Sequence, residues 1–391
     1  MQYFIKRRYL PAVRFIDFLG GAYVKTKRIF FKPKEFKKSE VKKILVLVLD
    51  LIGDGILATP ALKVLRNNFP DAKITAVVGK WNKEIFENNS DVDKVEVLDA
   101  PWVKRDVKWS IVKCWKIVRK LRREKFDLGF DFRGDFFNIL LMKMAGIKYT
   151  VGYGITCGGW MLNKCAPYEG DRFYKHIVER NLDLLRALEL DFSKNGLDLK
   201  VYPSEKNKRA IDQFFLENGI DRQDNLILIH PGSNDQTRCW DDERWAEVVA
   251  DIVEKRYKVI LSGGPKEKYQ ISNMKNQKQI FNIEDQIFEF VGYSILDLAE
   301  LMKRVNIVLC VNSAALHIAA AQKTPTVCLF AGSYPRTFGP WQNLKSVVLF
   351  KDDAKCFPCG KVICENNVCM KEISVEEVIE AVEKVGDFRK L

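Results

Sequence analysis

Short, almost wholly apolar segments recur along this 391-residue chain, and the clearest of them lead into a loop and then a helical pattern. Residues 43–49 (KILVLVL) form the first such segment, and residues 307–311 (IVLCV) form a late one. Continuous apolar runs of this length are typical of strands that are buried on both faces of a parallel sheet. The alternation of strand and helix therefore predicts an α/β protein built from doubly wound parallel sheets.

The strand and helix pattern runs through the chain twice, which predicts two Rossmann-like domains. A chain of 391 residues is long enough to bury two such cores. We expect a basic amphipathic N-terminal extension at residues 1–42, a first domain at 43–200, a linker at 201–224, a second domain at 225–350, a cysteine-rich segment at 351–373 and a C-terminal helix at 374–391.

Positive charge is concentrated at the N-terminus. Residues 1–43 contain thirteen lysines and arginines against three acids, within a formal net charge of +13 for the whole chain. Ile5, Tyr9, Val13 and Ile16 recur there at helical spacing. Basic amphipathic segments of this kind are typical of proteins that lie on anionic lipid, so we expect contact with a membrane surface. A solvated arm, or a helix docked on the protein body, would have the same composition.

Other partners and targeting signals are less well supported by the sequence. No nucleic-acid-binding motif accompanies the basic charge, so we expect no nucleic acid partner. No apolar run reaches the ~18 residues that a membrane-spanning helix needs. Arg14 and Asp17 interrupt any candidate signal-peptide core.

Residues 306–341 predict a site for an anion. We expect a strand at 307–311, a helix at 314–322 that starts after Asn312 and Ser313, and a further strand at 326–330. A helix that begins where a parallel strand ends directs free N–H groups and its positive dipole end toward the sheet edge, where phosphates bind. His317 lies about one turn inside this helix.

Further candidates for chemistry follow other predicted strands. Asp54 lies in a glycine-containing loop after the first strand, where it could serve as a base or merely cap a helix. Residues 229–233 (IHPGS) predict a tight turn that ends at Ser233, and Arg238 supplies a cation shortly afterwards. His230 could equally be a core histidine. Arg133 could contact a substrate or be a structural surface arginine.

Several of these strings together resemble the bacterial heptosyltransferases, glycosyltransferase family 9. The resemblance covers about residues 43–350 and rests on 44–66 (ILVLVLDLIGDGILATPALKVLR), 229–240, 259–268 and 312–317 (NSAALH), followed by 339–341 (GPW). It implies the GT-B architecture, in which two Rossmann-like domains face a cleft. This chain departs from the family pattern at Val48, where a basic residue is usual, and at Asn312, Ala314 and Arg238, where Asp, Gly and Lys are usual.

The resemblance also implies a function and assigns residues to it. It implies an inverting, metal-independent transfer of a sugar, heptose from ADP-heptose, to a lipid-linked lipopolysaccharide-core acceptor at the cytoplasmic side of the inner membrane. It assigns the general base to Asp54. Arg133 is the candidate acceptor contact from its place in the first domain, and not from the resemblance. The donor would be bound by Ser233, Arg238, Glu267, Asn312, Ser313, Ala314 and His317. A GT-B transferase with another nucleotide sugar, and a non-catalytic nucleotide-sugar-binding protein at the membrane surface, stay open as alternatives.

Four of the ten cysteines fall close together, at positions 356, 359, 364 and 369. This spacing suggests a small knuckle held by a metal or by disulfides, although the later spacings are short for a zinc ribbon. In a cytoplasmic protein zinc is favoured over disulfides. Cys356, Cys359, Cys364 and Cys369 are therefore candidate ligands of a structural zinc, and we expect no cofactor to be required for catalysis.

Overall fold

The computed structural model describes residues 10–30, 35–98, 102, 110–155, 157–167, 175–193, 196–221, 223–265, 267–280, 282–353, 356–357 and 363–387. The chain divides into two compact units. Unit 1 comprises residues 1–171 and 177–197, and unit 2 comprises residues 172–176 and 198–391.

Unit 1 contains a six-stranded, wholly parallel sheet in the order β3-β2-β1-β4-β5-β6. Leu45 and Leu47 of its central strand pack against Val118 and Leu121 of one helix and Ile139 of the next. In chain order its elements are α1 (Leu10–Phe30), β1 (Lys43–Val48), α2 (Ile52–Leu57), α3 (Thr59–Asn68), β2 (Lys73–Val78), α4 (Lys83–Glu87), β3 (Lys94–Val97), α5 (Ile111–Glu124), β4 (Leu128–Asp131), α6 (Phe136–Met144), β5 (Tyr149–Gly152), β6 (Lys164–Cys165) and α7 (Ile177–Arg186).

Unit 2 repeats this plan with a parallel sheet in the order β12-β11-β10-β7-β8-β9. Its apolar core is covered by Trp245 and Val249 of one helix and Val378 and Val382 of another. Its elements are α8 (Glu205–Glu217), β7 (Leu226–His230), α9 (Asp242–Glu254), β8 (Lys258–Gly263), α10 (Lys268–Lys275), β9 (Ile287–Val291), α11 (Ile295–Arg304), β10 (Ile307–Val311), α12 (Ala314–Gln322), β11 (Thr326–Phe330), α13 (Pro335–Phe338), β12 (Ser346–Phe350), α14 (Val368–Lys371) and α15 (Val375–Asp387).

The two strand orders place functional residues at a defined point in each sheet. In unit 1 the chain moves outward from β1 to β3 and then returns to the other side of β1 with β4. In unit 2 it does the same around β7, returning with β10. The carboxyl ends of the strands on either side of such a switch point form a crevice in which ligands bind. The predicted doubly wound α/β fold class is confirmed, and residues after β1, β4, β7 and β10 are the candidates for function.

The three elements predicted in residues 307–330 are confirmed to the residue, whereas the loop predicted after them contains the short helix α13. The strands Ile307–Val311 and Thr326–Phe330 and the helix Ala314–Gln322 begin and end where the apolar and small-residue patterns predict. Both strands are buried along their whole length. Their continuous apolar runs are therefore explained by burial on both faces of the sheet.

The prediction of a loop at residues 50–55 is wrong, because most of this segment is a helix. The structure contains α2 (Ile52–Leu57) ahead of α3, and Asp54 lies in the first turn of α2. The glycines at 53 and 55 lower helix propensity, so the local sequence is typical of a loop. Gly55 is required for packing, since a Cβ there would lie 2.7 Å from Asn82 Oδ1. Asn82 in turn donates a hydrogen bond to the Asp50 carbonyl at 2.8 Å.

The N-terminal extension contains α1, a helix of 21 residues. It packs on unit 1 near residues 158–160, where Asp17 accepts a hydrogen bond from the Gly158 N–H at 2.8 Å. The described part of the extension is therefore a helix docked on the protein body, and contact with a membrane surface stays a prediction. Ile5 and Tyr9 lie outside the described residues. Within the described residues, no helix is both long and apolar enough to cross a membrane.

Candidate functional site

The turn after β7 brings a cation to the start of α12. Arg238 donates a hydrogen bond from Nη1 to the Asn312 carbonyl at 3.0 Å and pairs through Nη2 with Asp235 at 2.7 Å. One third of its side chain stays exposed. The guanidinium is thus held in a fixed orientation at the sheet edge while part of its donor surface can still reach a ligand.

The first turn of α12 carries polar atoms that the folded chain leaves unsatisfied. Ser313 is the N-terminal cap residue in position, but its side chain makes no capping hydrogen bond. Ser313 Oγ and His317 Nδ1 are buried and have no hydrogen-bond partner among the described residues. Ser333 Oγ, in the loop after β11, shares this property. Because a buried unsatisfied polar atom costs about 1–3 kcal/mol, such a group at a sheet edge indicates a missing ligand or water.

His317 is a neutral imidazole in this environment. Its side chain is 6% exposed, and burial lowers its pKa to about 3, with the charges of His176 and Arg238 acting in the same direction. A neutral ring can accept or donate one hydrogen bond at each nitrogen but adds no fixed charge. The fixed positive charge at this edge therefore comes from Arg238 and from the start of α12.

Asn312 has a structural use that the sequence does not show. Its side-chain amide donates to the Ala331 carbonyl at 3.0 Å and accepts from the Ala331 N–H at 3.3 Å. The residue is 5% exposed. This pair of bonds ties the end of β10 to the end of β11. An aspartate could not donate to the carbonyl, so the asparagine is suited to this backbone contact.

Ala314 occupies the first position of α12 in a right-handed helical conformation. A methyl group costs no backbone strain in that conformation. The departure from glycine at this position is therefore harmless to the backbone.

Glu267 lies against the glycines that follow two neighbouring strands. A Cβ on Gly232 would lie 2.3 Å from Glu267 Cγ, and one on Gly263 would lie 2.7 Å from Glu267 Cβ. The carboxylate side chain is thus brought beside the turn that contains Ser233. The sequence predicts Glu267, Ser233 and Arg238 in one site, and the structure brings the three segments together at the edge of the unit 2 sheet.

His176 is a site residue that sequence reasoning missed. Its Nε2 lies 3.2 Å from the Gly339 carbonyl, and its ring packs on Trp341 with the centroids 4.7 Å apart. The sequence feature that could have pointed to His176 is the small number of histidines, since the chain has only three. The third, His230, places Nδ1 3.0 Å from Ser262 Oγ, and burial lowers its pKa to about 4. His230 is therefore satisfied within the protein, as the core interpretation expects.

The candidate polar site of unit 1 consists of charged residues at the carboxyl ends of β1 and β4. Arg133 forms an ion pair with Asp50 and is only 13% exposed in its side chain. Burial raises the pKa of Asp50, and Arg133 opposes that shift. Asp131 is fully buried and accepts hydrogen bonds from the Gly134 N–H at 2.9 Å and from Asn138 Nδ2 at 2.9 Å. Arg133 is thus a largely buried partner of Asp50, and Asp50 is a residue that sequence reasoning missed.

The proposed zinc ligands lie only partly within the described residues. Cys356 is exposed, Cys364 is half-buried and Cys369 is buried in the apolar core of unit 2, whereas Cys359 lies outside the described part. No group of three or more His, Cys, Asp or Glu side chains in the described ranges is placed to hold a metal ion. The structural zinc stays a prediction.

The buried histidines predict a pH dependence of stability. His230 and His317 have folded-state pKa values below the usual 6.5, so the unfolded chain binds more protons as the pH falls. We expect the free energy of unfolding to be fully retained above pH 6.5 and to fall by about 1.4 kcal/mol per pH unit per histidine below it. Urea unfolding of the wild type and of the His230→Gln/His317→Gln variant between pH 7 and 5 measures this slope. An equal slope in both proteins would contradict the prediction.

The Asn312–Ala331 contact predicts a specific effect of restoring the family aspartate. Asn312→Asp should lower the free energy of unfolding by about 1–3 kcal/mol at pH 8, because a buried carboxylate would face the Ala331 carbonyl. The loss relative to wild type should shrink at pH 5, where a protonated carboxyl can donate again. Asn366→Asp, at an exposed amide, is the matched control and should be neutral. Equal stability of Asn312→Asp and wild type at pH 8 would disprove the structural role of this contact.

Comparisons with known proteins agree with this architecture. Residues 114–368 match the model of glycosyltransferase family 9 (heptosyltransferase). Lipopolysaccharide heptosyltransferase 3 of Escherichia coli K12 is 25% identical over 346 residues, covering 85% of this chain and 95% of that protein. The crystal structure of a family 9 glycosyl transferase from Veillonella parvula matches with a TM-score of 0.75 at 25% identity, covering 89% of this chain and 97% of the other.

A second solved structure supports the same fold. The structure of the ADP-heptose lipopolysaccharide heptosyltransferase II of Escherichia coli matches with a TM-score of 0.71 at 19% identity. The match covers 89% of this chain and 100% of that chain. Both structural matches support the GT-B-like α/β fold. Since the family model spans well over half of the chain, the protein belongs to glycosyltransferase family 9 and is a glycosyltransferase.

Proposed function

We propose that the protein transfers a sugar, heptose from ADP-heptose, to a lipopolysaccharide-core-type acceptor with inversion at the anomeric carbon. The observation that carries this proposal is the anion site of unit 2, where Arg238 and the unsatisfied atoms of Ser313 and His317 meet at the start of α12. The relatives named lipopolysaccharide heptosyltransferase supply the substrate class. The nucleotide sugar would be bound by unit 2, with Ser233, Glu267, Asn312 and Ala314 lining the same edge.

The proposed reaction displaces a nucleoside diphosphate. The acceptor hydroxyl attacks the anomeric carbon, the glycosidic bond forms as the bond to the diphosphate oxygen breaks, and Asp54 takes the hydroxyl proton. Negative charge then grows on the leaving diphosphate. Arg238 and the N–H groups at the start of α12 would stabilise that charge. Because these groups supply positive charge where it develops, we propose that the transfer needs no metal ion.

Two departures from the family pattern, Asn312 and Ala314, do not favour another donor. Asn312 is engaged with Ala331 and Ala314 is an unstrained helical residue, so both substitutions are accommodated by the protein itself. A thermal-shift screen against ADP-, UDP-, GDP- and CDP-sugars tests the donor directly. Stabilisation by ADP-heptose alone is the expected result, and stabilisation by none of them would contradict the proposed function.

We propose a lipid-linked saccharide as the acceptor and the cytoplasmic side of the inner membrane as the place of reaction. The basic N-terminal segment supports this location, since its thirteen cations within residues 1–43 suit an anionic lipid surface. We propose no nucleic acid partner. Arg133 is proposed to act on the acceptor side through the orientation of Asp50, because its guanidinium is paired with that carboxylate.

Removing the Asp54 carboxylate should abolish transfer without abolishing donor binding. Asp54→Asn keeps the size of the side chain but cannot accept the proton, so kcat should fall by about 10²–10⁴-fold. Steady-state transfer rates and calorimetric titration of the donor measure the two effects separately. Glu84→Gln removes an exposed carboxylate from the same unit and should leave both unchanged. Unchanged kcat in Asp54→Asn would disprove the assignment of the base.

Removing the Arg238 guanidinium should weaken binding of the diphosphate group. Arg238→Met should raise the Kd for ADP by about 10–100-fold, the range expected for losing hydrogen bonds to a charged group, while Arg238→Lys should be intermediate because it keeps the charge. The Kd for adenosine should not change in either variant. Arg209→Met, at an exposed arginine of unit 2, is the control. Parallel loss of ADP and adenosine binding would indicate a general structural effect instead.

A further inference from the structure

Helix α1 contacts the rest of unit 1 through Asp17 and Gly20. Asp17 Oδ1 accepts hydrogen bonds from the Gly158 N–H at 2.8 Å and from Cys157 Sγ at 3.1 Å. Gly20 packs so closely on Trp160 that a Cβ would lie 2.1 Å from Trp160 Cε2. These contacts determine which side of the helix is turned toward the protein.

Several large apolar side chains of α1 are exposed to solvent. Phe15, Phe18, Leu19 and Tyr23 are 61%, 71%, 50% and 61% exposed. At the helical repeat of about 3.6 residues per turn, Phe15, Phe18 and Leu19 lie opposite Asp17 and Gly20. A helix on a soluble protein normally buries its large apolar side chains, so these exposed ones are an exception. We call these four exposed residues the apolar ridge.

Helix α5 presents an exposed row of positive charges. Lys116, Arg119 and Arg123 follow one another at helical spacing on its solvent side, and we call them the basic row. None of the three forms an ion pair with a residue in the described ranges, whereas the neighbouring Lys120 pairs with Glu96. Like charges at these spacings destabilise a helix, so an anionic partner would stabilise the row. At the start of α5, Trp115 is 55% exposed.

Both features lie on the same side of the unit 1 sheet. Val118 of α5 and Ile139 of α6 belong to one core cluster, and Met161 packs against that cluster. Trp160, next to Met161, is the residue on which α1 packs. Helix α5 and the segment on which α1 packs are thus found on the same face of the unit 1 sheet. The basic row is part of the protein body, outside the N-terminal segment to which the sequence attributes the excess positive charge.

We propose that this side of unit 1 binds the surface of an anionic lipid bilayer. The apolar ridge would enter the region between head groups and acyl chains, the basic row would contact anionic head groups, and Trp115 would lie at the boundary. A nucleic acid would suit the basic row but would leave the apolar ridge in water. The combination therefore favours a bilayer. The inference extends the proposed function by naming the surface on which the acceptor is met, yet it can be tested without any transfer reaction.

Vesicle sedimentation of the full chain tests both features. Mixed phosphatidylglycerol and phosphatidylcholine vesicles are compared with phosphatidylcholine vesicles at low and high salt. Lys116→Gln/Arg119→Gln/Arg123→Gln should reduce partitioning onto the anionic vesicles by roughly 100-fold at low salt, at about fivefold per cation, and weaken its salt dependence. Phe15→Ser/Phe18→Ser should reduce partitioning onto both kinds of vesicle.

Matched controls come from exposed residues of unit 2. Lys303→Gln/Lys345→Gln/Lys371→Gln removes three exposed charges, and Leu216→Ser/Leu344→Ser removes apolar side chains that are 76% and 94% exposed. Neither control should change vesicle binding. Near-ultraviolet circular dichroism verifies that each variant is folded. Should a variant fail to fold, the wild type alone still decides, because its binding to anionic vesicles must fall with salt.

Three results would overturn the inference: wild-type binding to anionic vesicles that is absent or independent of salt, unchanged binding in either set of variants, or an equal loss in the unit 2 controls. Binding of single-stranded RNA that depends on the basic row, without vesicle binding, would assign the surface to nucleic acid instead. Transfer to a water-soluble, delipidated acceptor separates this inference from the proposed function. If the wild type binds vesicles but transfers no heptose to that acceptor, the proposed function is refuted and the inference about the membrane surface is not.

Discussion

The donor-side geometry of unit 2 depends on Asn312. Its side-chain amide forms two hydrogen bonds with the backbone of Ala331. Its backbone carbonyl accepts a hydrogen bond from the Arg238 guanidinium. The ends of β10 and β11 and the turn after β7 are therefore connected through one residue. Since β10 lies between β11 and β7 in the sheet, these ties fix the place where α12 begins. The positions of Ser313 and His317 follow from that starting point.

The same residue explains why an apparent loss of charge is compatible with the site. An aspartate at position 312 would add a negative charge beside the groups that are proposed to receive a diphosphate. The asparagine avoids that charge and satisfies both the N–H and the carbonyl of Ala331. His317 adds no charge either, because burial lowers its pKa to about 3. Arg238 is paired with Asp235 at 2.7 Å, and a second carboxylate at position 312 would compete for the same guanidinium.

Local patterns predict the elements of this fold better than the contacts between them. The two strands and the helix in residues 307–330 follow from local apolar runs and small residues, so the sequence predicts their limits correctly. The helix that contains Asp54 was missed because its two glycines oppose a helix, and only packing against Asn82 shows why Gly55 is needed. The contact of His176 with Gly339 spans 163 positions in the sequence, and no local pattern could reveal it.

Charge shows the same limit of sequence averages. The chain beyond the N-terminal segment is nearly balanced, and that balance hides the basic row of α5. Whether a lysine or arginine is neutralised depends on the acids that folding places beside it. Lys120 is paired with Glu96, whereas the three cations of the basic row form no ion pair within the described residues. The structure therefore locates an unbalanced surface that the composition cannot.

One physical criterion identifies both proposed binding regions of the protein. Folding satisfies the hydrogen bonds of nearly all buried polar groups and buries most large apolar groups. A buried polar group without a hydrogen bond at a sheet edge, or a patch of exposed apolar side chains, is therefore a candidate binding site. Inside unit 2, Ser313 Oγ and His317 Nδ1 are polar atoms without a partner among the described residues, which suits a phosphate-bearing ligand. On unit 1, Phe15 and Phe18 are apolar groups in water on a helix whose aspartate faces the protein, which suits a bilayer. The two proposed partners differ in chemistry because the two regions differ. Unit 2 offers unsatisfied hydrogen-bonding atoms and the Arg238 cation, which suit a phosphate, and unit 1 exposes apolar side chains, which suit the interior of a bilayer.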